Sequence, residues 1–152
     1  VMPHLYPPAH YKASSFSIRS KGNTFLTDGY AILNADDELV YDMRRNIECN
    51  LALFSMDENN PHILALQRKG GITAVYENGY VTICRGEWKM RVMKAENIPL
   101  TYGGKAKFMI QNVLPAILAA NVQGISIEDM KAALETFIPS AFFLITLTIQ
   151  LE

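Results

Sequence analysis

Asn34-Ala35-Asp36-Asp37 places an amide and two carboxylates directly after the apolar run Tyr30-Ala31-Ile32-Leu33. That is the pattern of a buried strand delivering polar groups at its carboxyl end, the edge at which open α/β sheets bind ligands. Asn34, Asp36 and Asp37 are therefore candidate contacts for a polar ligand. Capping of the following helix through its free amide groups is the commoner use of aspartate at such a position. Asn112 poses a similar choice, because an asparagine at a helix start can cap it, or its amide can read a purine edge with one donor and one acceptor. Gly103-Gly104-Lys105 has the look of a phosphate site. It lacks the upstream glycine and the following Ser or Thr of a phosphate loop, and reads as a turn into a helix. No G-x-G-x-x-G dinucleotide turn occurs, and His4, His10 and His62 have neither ligand spacing nor a neighbouring cysteine. They read as surface side chains, and no complete catalytic or metal-binding constellation is present.

The elements that must position these residues follow from the hydrophobic pattern. The chain has 152 residues, of which 49% are apolar and 19% charged, enough to build one core and too few for two full-sized ones. Its net charge of -1 provides no field for nucleic acid or anionic lipid. Cys49 and Cys84 form no C-x-x-C pair, which points away from a disulfide scaffold or zinc cage and toward a reducing cytoplasm. The apolar stretch 141–149 falls far short of the roughly 20 residues that span a bilayer, and no secretory signal is readable at the start.

Residues 1–27, broken by Pro3, Pro7 and Pro8, read as an irregular arm with one short strand at 15–19. Strands are expected over 30–33 and 51–56. A helix carrying Leu39, Val40 and Met43 lies between them, and a second helical segment at 63–66 closes at Gly70-Gly71. Strand, helix, strand order favours parallel pairing. Three further strands over 72–76, 80–84 and 88–93, joined through Asn78-Gly79 and Gly86, form an antiparallel meander. A helix starts near Gln111 or Asn112 with Pro115 in its first turn, where proline is tolerated, and ends at Gly124. Ser126 and Asp129 form a capping pair for a last helix whose stripe is Ile127, Met130, Leu134 and Phe137 and which stops at Pro139. The fold class is therefore α/β: a short, mainly parallel sheet with a β-meander inserted and two C-terminal helices packed against it.

A resemblance to a known family enters at these same residues. Residues 29–37, Ala52-Leu53-Phe54-Ser55, Ile98-Pro99-Leu100-Thr101-Tyr102-Gly103-Gly104-Lys105-Ala106, Asn112 and Gly124-Ile125 closely resemble the cyanophycin synthetases in their muramyl-ligase-like half. The resemblance covers 28–140 and implies the later part of a central ATPase domain. It also implies an ATP- and Mg²⁺-dependent amide ligase, which activates a carboxylate as an acyl phosphate and joins arginine to the aspartate side chains of a poly-aspartate backbone. In the wider muramyl ligase family a G-x-H-N-x-x-N stretch contacts adenine through its two asparagines. Asn112 matches the second, and Met109 stands where the first is usual. Asn34 to Asp37 match that family's N-A-D-D segment.

The pattern departs at both ends. The family's phosphate loop, magnesium ligands and D-H-L stretch would precede this region, 141–150 is an unrelated apolar run, and Leu151-Glu152 reads as a cloning remnant. The expectation is a ligase fragment with altered ends that is inactive alone, because phosphoryl transfer needs the missing phosphate cradle. Two alternatives accompany it. One is a non-catalytic ligase-derived module that self-associates or binds a protein through Phe142, Phe143, Leu144 and Ile145. The other is a piece of a muramyl or folyl-polyglutamate ligase. Nucleic acid and membrane partners are not expected.

Overall fold

A computed structural model of the chain describes residues 29–138, and it shows an α/β sandwich. The expected arm 1–27, its strand at 15–19 and the divergent tail 141–152 lie outside the described residues. The elements in chain order are β1 (Tyr30–Asn34), α1 (Glu38–Asp42), β2 (Asn50–Ser55), α2 (Pro61–Arg68), β3 (Ile72–Glu77), β4 (Tyr80–Arg85), β5 (Trp88–Lys94), α3 (Lys107–Val122) and α4 (Ile127–Thr136).

One five-stranded sheet runs in sequence order, β1 to β5. The helical connections between β1, β2 and β3 make those pairs parallel, and the tight turns after β3 and β4 make the remaining pairs antiparallel. The meander is thus no insertion beside the parallel strands. It extends their sheet, because β4 lies along the free edge of β3. The first hairpin closes as its residues demand, with Asn78 and Gly79 both at positive φ.

Period-two alternation sorts the strand residues onto two faces. Ile32, Ala52, Phe54, Ile72, Ala74, Val81 and Ile83 pack against α3 through Ile110, Val113, Leu114, Ile117 and Leu118. On the opposite face Leu33, Leu53, Val75 and Cys84 meet Ile63 of α2 and Val40 and Tyr41 of α1. Leu39, expected on the core stripe, is instead 60% exposed, since α1 is a single turn that continues as a 3-10 turn over Met43–Asn46.

The C-terminal helices depart further from the sequence reading. α3 begins at Lys107, so Pro115 is its ninth residue, well inside the helix and not in its first turn. Asn112 consequently caps nothing. The cause is tertiary: Ile110, Val113, Leu114, Ile117 and Leu118 are all at most 2% exposed, and this continuous buried face carries the helix across its proline. α4 is capped as expected, with the Ser126 hydroxyl oxygen accepting from the Asp129 amide at 3.1 Å. It ends at Thr136, which leaves Phe137 beyond the helix and 57% exposed in place of completing the stripe.

Both cysteines are free thiols, and burial pushes the Cys84 thiol up, which makes it an inert core residue. Beside it, Glu77 is the one buried acid among the described residues. Lys89 Nζ donates to its Oε2 at 2.7 Å and also reaches Glu58 at 3.4 Å, while Arg91 Nε lies 3.6 Å from Oε1. Burial opposes ionisation, but the Lys89 hydrogen bond and the flanking positive charges outweigh it and hold the carboxyl below its usual 4.5. A depressed folded-state value means that the carboxylate stabilises the fold fully above the unfolded value, and that this contribution is lost as pH falls through the lower folded value. Urea unfolding midpoints should therefore drop below about pH 4.5. In Glu77→Gln that part of the acid limb should flatten; an unchanged limb would show that the pair contributes nothing.

Candidate functional site

The carboxyl ends of β1, β2 and β3 form one edge of the sheet, as parallel pairing requires. There the Asn-Ala-Asp-Asp segment folds into a knot of side-chain to backbone bonds. Asn34 Oδ1 accepts from the Asp36 amide at 2.9 Å, which makes the tight turn that ends β1. Asp37 is the N-cap of α1, its Oδ1 accepting from the amides of Leu39 at 2.9 Å and Val40 at 3.1 Å. Asp36 does something different. Its carboxylate crosses to the loop after β2, accepting from the Ser55 hydroxyl, from the Met56 amide at 2.8 Å and from Asn60 Nδ2 at 3.0 Å.

Asn60 completes the link, donating to the Ala35 carbonyl at 3.1 Å while its Oδ1 caps α2 through the His62 amide at 2.9 Å. Of the two readings weighed for the acids, capping holds for Asp37. Asp36 is an interstrand clasp, a role that spacing alone does not suggest because its partners lie about twenty residues on. His62 is not a loose surface group either. It stacks on Tyr41 with ring centroids 3.6 Å apart and shares a hydrogen bond with Glu38 at 2.9 Å.

The Gly103-Gly104-Lys105 stretch is a turn into a helix, as its composition indicated. Tyr102, Gly103 and Gly104 follow one another at φ 51, 70 and 81, a left-handed run whose last two residues, being glycine, accept it without a Cβ penalty. Thr101 anchors it and was missed by motif reading. Fully buried, its hydroxyl oxygen accepts from the Gly104 amide at 3.0 Å and faces the carbonyls of Ala95 and Ile98. A threonine two residues ahead of a glycine pair is the signal that could have found it. Lys107 Nζ reaches the Tyr76 hydroxyl at 3.3 Å, which seats the start of α3 near the end of β3, on the same edge as the clasp. Ala106, the N-cap of α3, has no oxygen with which to cap it.

From that start α3 carries Met109 and Asn112, three residues apart and so neighbours on the helix surface. Asn112 opens on a groove of about 260 Å³ between α3, α4 and the turn before Gly103, whose other walls include Ile98, Leu100, Val113, Ala116, Leu134 and Phe137. Asn112 is the one polar residue of that lining, but its amide group adds almost nothing to the lining surface, which is apolar; the residue stands exposed at the groove's edge. Met109 does not line the groove, and its thioether cannot supply the paired donor and acceptor of an asparagine. Asn34, Asp36 and Asp37 thus gather around α1 and α2, whereas Met109 and Asn112 lie in the opposite helical layer.

Sequence comparison decides what this architecture is part of. The protein of Geminocystis herdmanii (strain PCC 6308) is 52% identical over 114 residues, which is 75% of this chain and 13% of that protein. The sequence is homologous to part of cyanophycin synthetase. The cyanophycin synthetases of Trichormus variabilis (strain ATCC 29413 / PCC 7937) and Crocosphaera subtropica (strain ATCC 51142 / BH68) are 51% and 48% identical over 72% and 75% of the chain. The chain spans about an eighth of the length of these curated relatives. No family model matches it. Most of any cyanophycin synthetase therefore has no counterpart in these residues. Among the described residues no group of three or more His, Cys, Asp or Glu side chains could hold a metal ion, and no helix is long and apolar enough to cross a membrane.

Proposed function

We propose that these residues are the adenine-side wall of the ATP site of a cyanophycin synthetase, an amide ligase that joins arginine to aspartate side chains. The observation that carries this reading is Asn112, an exposed amide at the edge of an apolar groove. A purine presents a flat apolar body with donors and acceptors confined to its edges, and it is matched by apolar walls with a single donor-acceptor pair. The groove supplies the apolar wall and Asn112, at its edge, the amide, both on α3, whose start lies at the carboxyl edge of the sheet. ATP supplies the phosphoryl group that activates a carboxylate. This chain contributes the base contact and a rigid edge, because the Asp36 clasp and the Thr101-anchored turn fix the loops from which the nucleotide would extend. Phosphate and Mg²⁺ ligands belong to the remaining seven-eighths of the enzyme, so the chain alone should bind nucleotide weakly and turn nothing over.

Titration of the chain with ATP, followed by NMR, tests the binding part. Signals of Asn112, Val113 and Ala116 should shift saturably. Asn112→Ala should weaken binding about tenfold, the loss expected for the hydrogen bonds of one amide beside an apolar wall. A folded chain in which saturating ATP moves none of these signals would refute the assignment. The ligation itself is tested by arginine-dependent ATP hydrolysis in the full-length enzyme.

A further inference from the structure

Two turns far apart in sequence, Asn78-Gly79 and Gly103-Gly104, line one cavity of about 230 Å³ together with Tyr76, Lys94 and Glu96. All four turn residues are left-handed, at φ 48, 83, 70 and 81. The Ala95-Glu96 backbone holds the turns together, since the Ala95 amide donates to the Gly79 carbonyl at 2.8 Å and a Cβ on Gly104 would stand 3.5 Å from the Glu96 nitrogen. The cavity lies where β3 ends, on the edge at which open α/β sheets bind ligands. We propose that it binds a small oxyanion, a carboxylate or phosphate group, through Lys94, Lys107 and the amides of the two turns. The site is independent of the nucleotide reading and shares no lining residue with the groove at Asn112.

Charge selects an anion over other ligands. Lys107 Nζ lies 4.7 Å from the centroid of the Tyr76 ring and 3.3 Å from its hydroxyl, so it stands at the cavity wall, with no carboxylate partner among the described residues. Lys94 Nζ is 3.8 Å from Glu96 Oε1, beyond hydrogen-bond length, which leaves its donors open to a ligand. Two amines thus face one acid. The backbone adds donors: among the described residues the amides of Asn78, Gly79 and Gly103 donate to no protein group, while that of Gly104 is taken by Thr101. Amides in successive turn positions form concavities that receive anions. Glycine leaves them uncovered, for a Cβ added at Gly79 or Gly103 would meet nothing within 4 Å. A cation would meet two amines for one acid, and an apolar group would leave the amides unpaired. Because both lysines are exposed, the attraction is screened by salt.

The test uses the full chain, titrated separately with sodium phosphate, sodium acetate and sodium chloride at fixed pH and followed by amide NMR shifts. Signals of Asn78, Gly79 and Gly103 should shift saturably with phosphate, acetate or both, while those of Asn112, Val113 and Ala116 stay in place. Saturation by phosphate alone assigns the site to a phosphoryl group, and by acetate alone to a carboxylate such as an acidic side chain. Lys94→Met should weaken binding about tenfold, the loss of one charge-assisted hydrogen bond, and Lys107→Met gives an independent reading on the second amine. Glu96→Gln should tighten it several-fold by removing the opposing charge. Shifts that never saturate, or that chloride reproduces at equal concentration, would overturn the site. Saturable shifts that both lysine variants leave unchanged would overturn it as well. Inorganic phosphate carries no base, so its failure together with that of acetate sinks this site and leaves the Asn112 reading standing. ATP that moves no signal at Asn112 sinks that reading and leaves this one.

Discussion

Replacing Asp36 with alanine should lower the unfolding free energy by about 3 kcal/mol. The estimate comes from what the carboxylate holds. Three donors from three different residues converge on it, namely the Ser55 hydroxyl, the Met56 amide and Asn60 Nδ2. Hydrogen bonds to a charged group are worth about 1.5–3 kcal/mol each when taken singly. They are not additive here, because one substitution removes all three and the exposed turn lets water replace part of what is lost. Asp36→Asn is the informative partner. It keeps one acceptor oxygen but turns a donor toward the Met56 amide or the Ser55–Asn60 side, so it should recover less than half of the loss. Urea unfolding of the three chains measures both. Parent-like stability in Asp36→Ala would mean that the loops after β1 and β2 are held by other contacts. The same variant should loosen the Asn60 cap of α2, visible as faster amide exchange at His62, whose amide donates to Asn60 Oδ1.

The clasp also shows where sequence reasoning stops. Local patterns carried the local structure: the apolar run 30–33 became β1, Asn78-Gly79 became a hairpin turn, and Asp37 and Ser126 became helix caps, each decided by residues within three or four positions. Strand, helix, strand order was enough for the parallel half of the sheet. The contacts of Asp36 lie 19 to 24 residues away, and nothing in Asn-Ala-Asp-Asp distinguishes an acid that caps from one that reaches across. The groove was illegible for a similar reason. Ile98, Val113 and Leu134 become one lining only after α3, α4 and the turn before Gly103 have packed, so Asn112 could be singled out while its surroundings could not. Phe137 shows the converse error. Its spacing fits the α4 stripe, but the helix ends before reaching it, and an expected core residue became part of an open rim.

Pro115→Ala should stabilise the chain by roughly 1–2 kcal/mol while weakening its hold on nucleotide. Proline within a helix costs about 3 kcal/mol relative to alanine, through the missing N–H and the clash of its ring with the carbonyl four residues back. Here that carbonyl belongs to Gln111, and alanine restores a donor to it. Part of the gain is returned, because alanine gives the unfolded chain freedom that proline had removed, by about 1 kcal/mol. Proline is also a recognised cause of helix bending. Position 115 lies between Val113 and Ala116, which line the groove with Asn112, so a straighter α3 would shift those walls against α4. Stability gained at position 115 should therefore accompany a several-fold loss of ATP affinity in the same NMR titration, the trade expected when a binding surface is shaped by a strained element. A variant that gains stability and binds ATP as before would show that the proline does not shape the groove. One that loses stability would show that its ring fills space in the helix layer that alanine leaves empty.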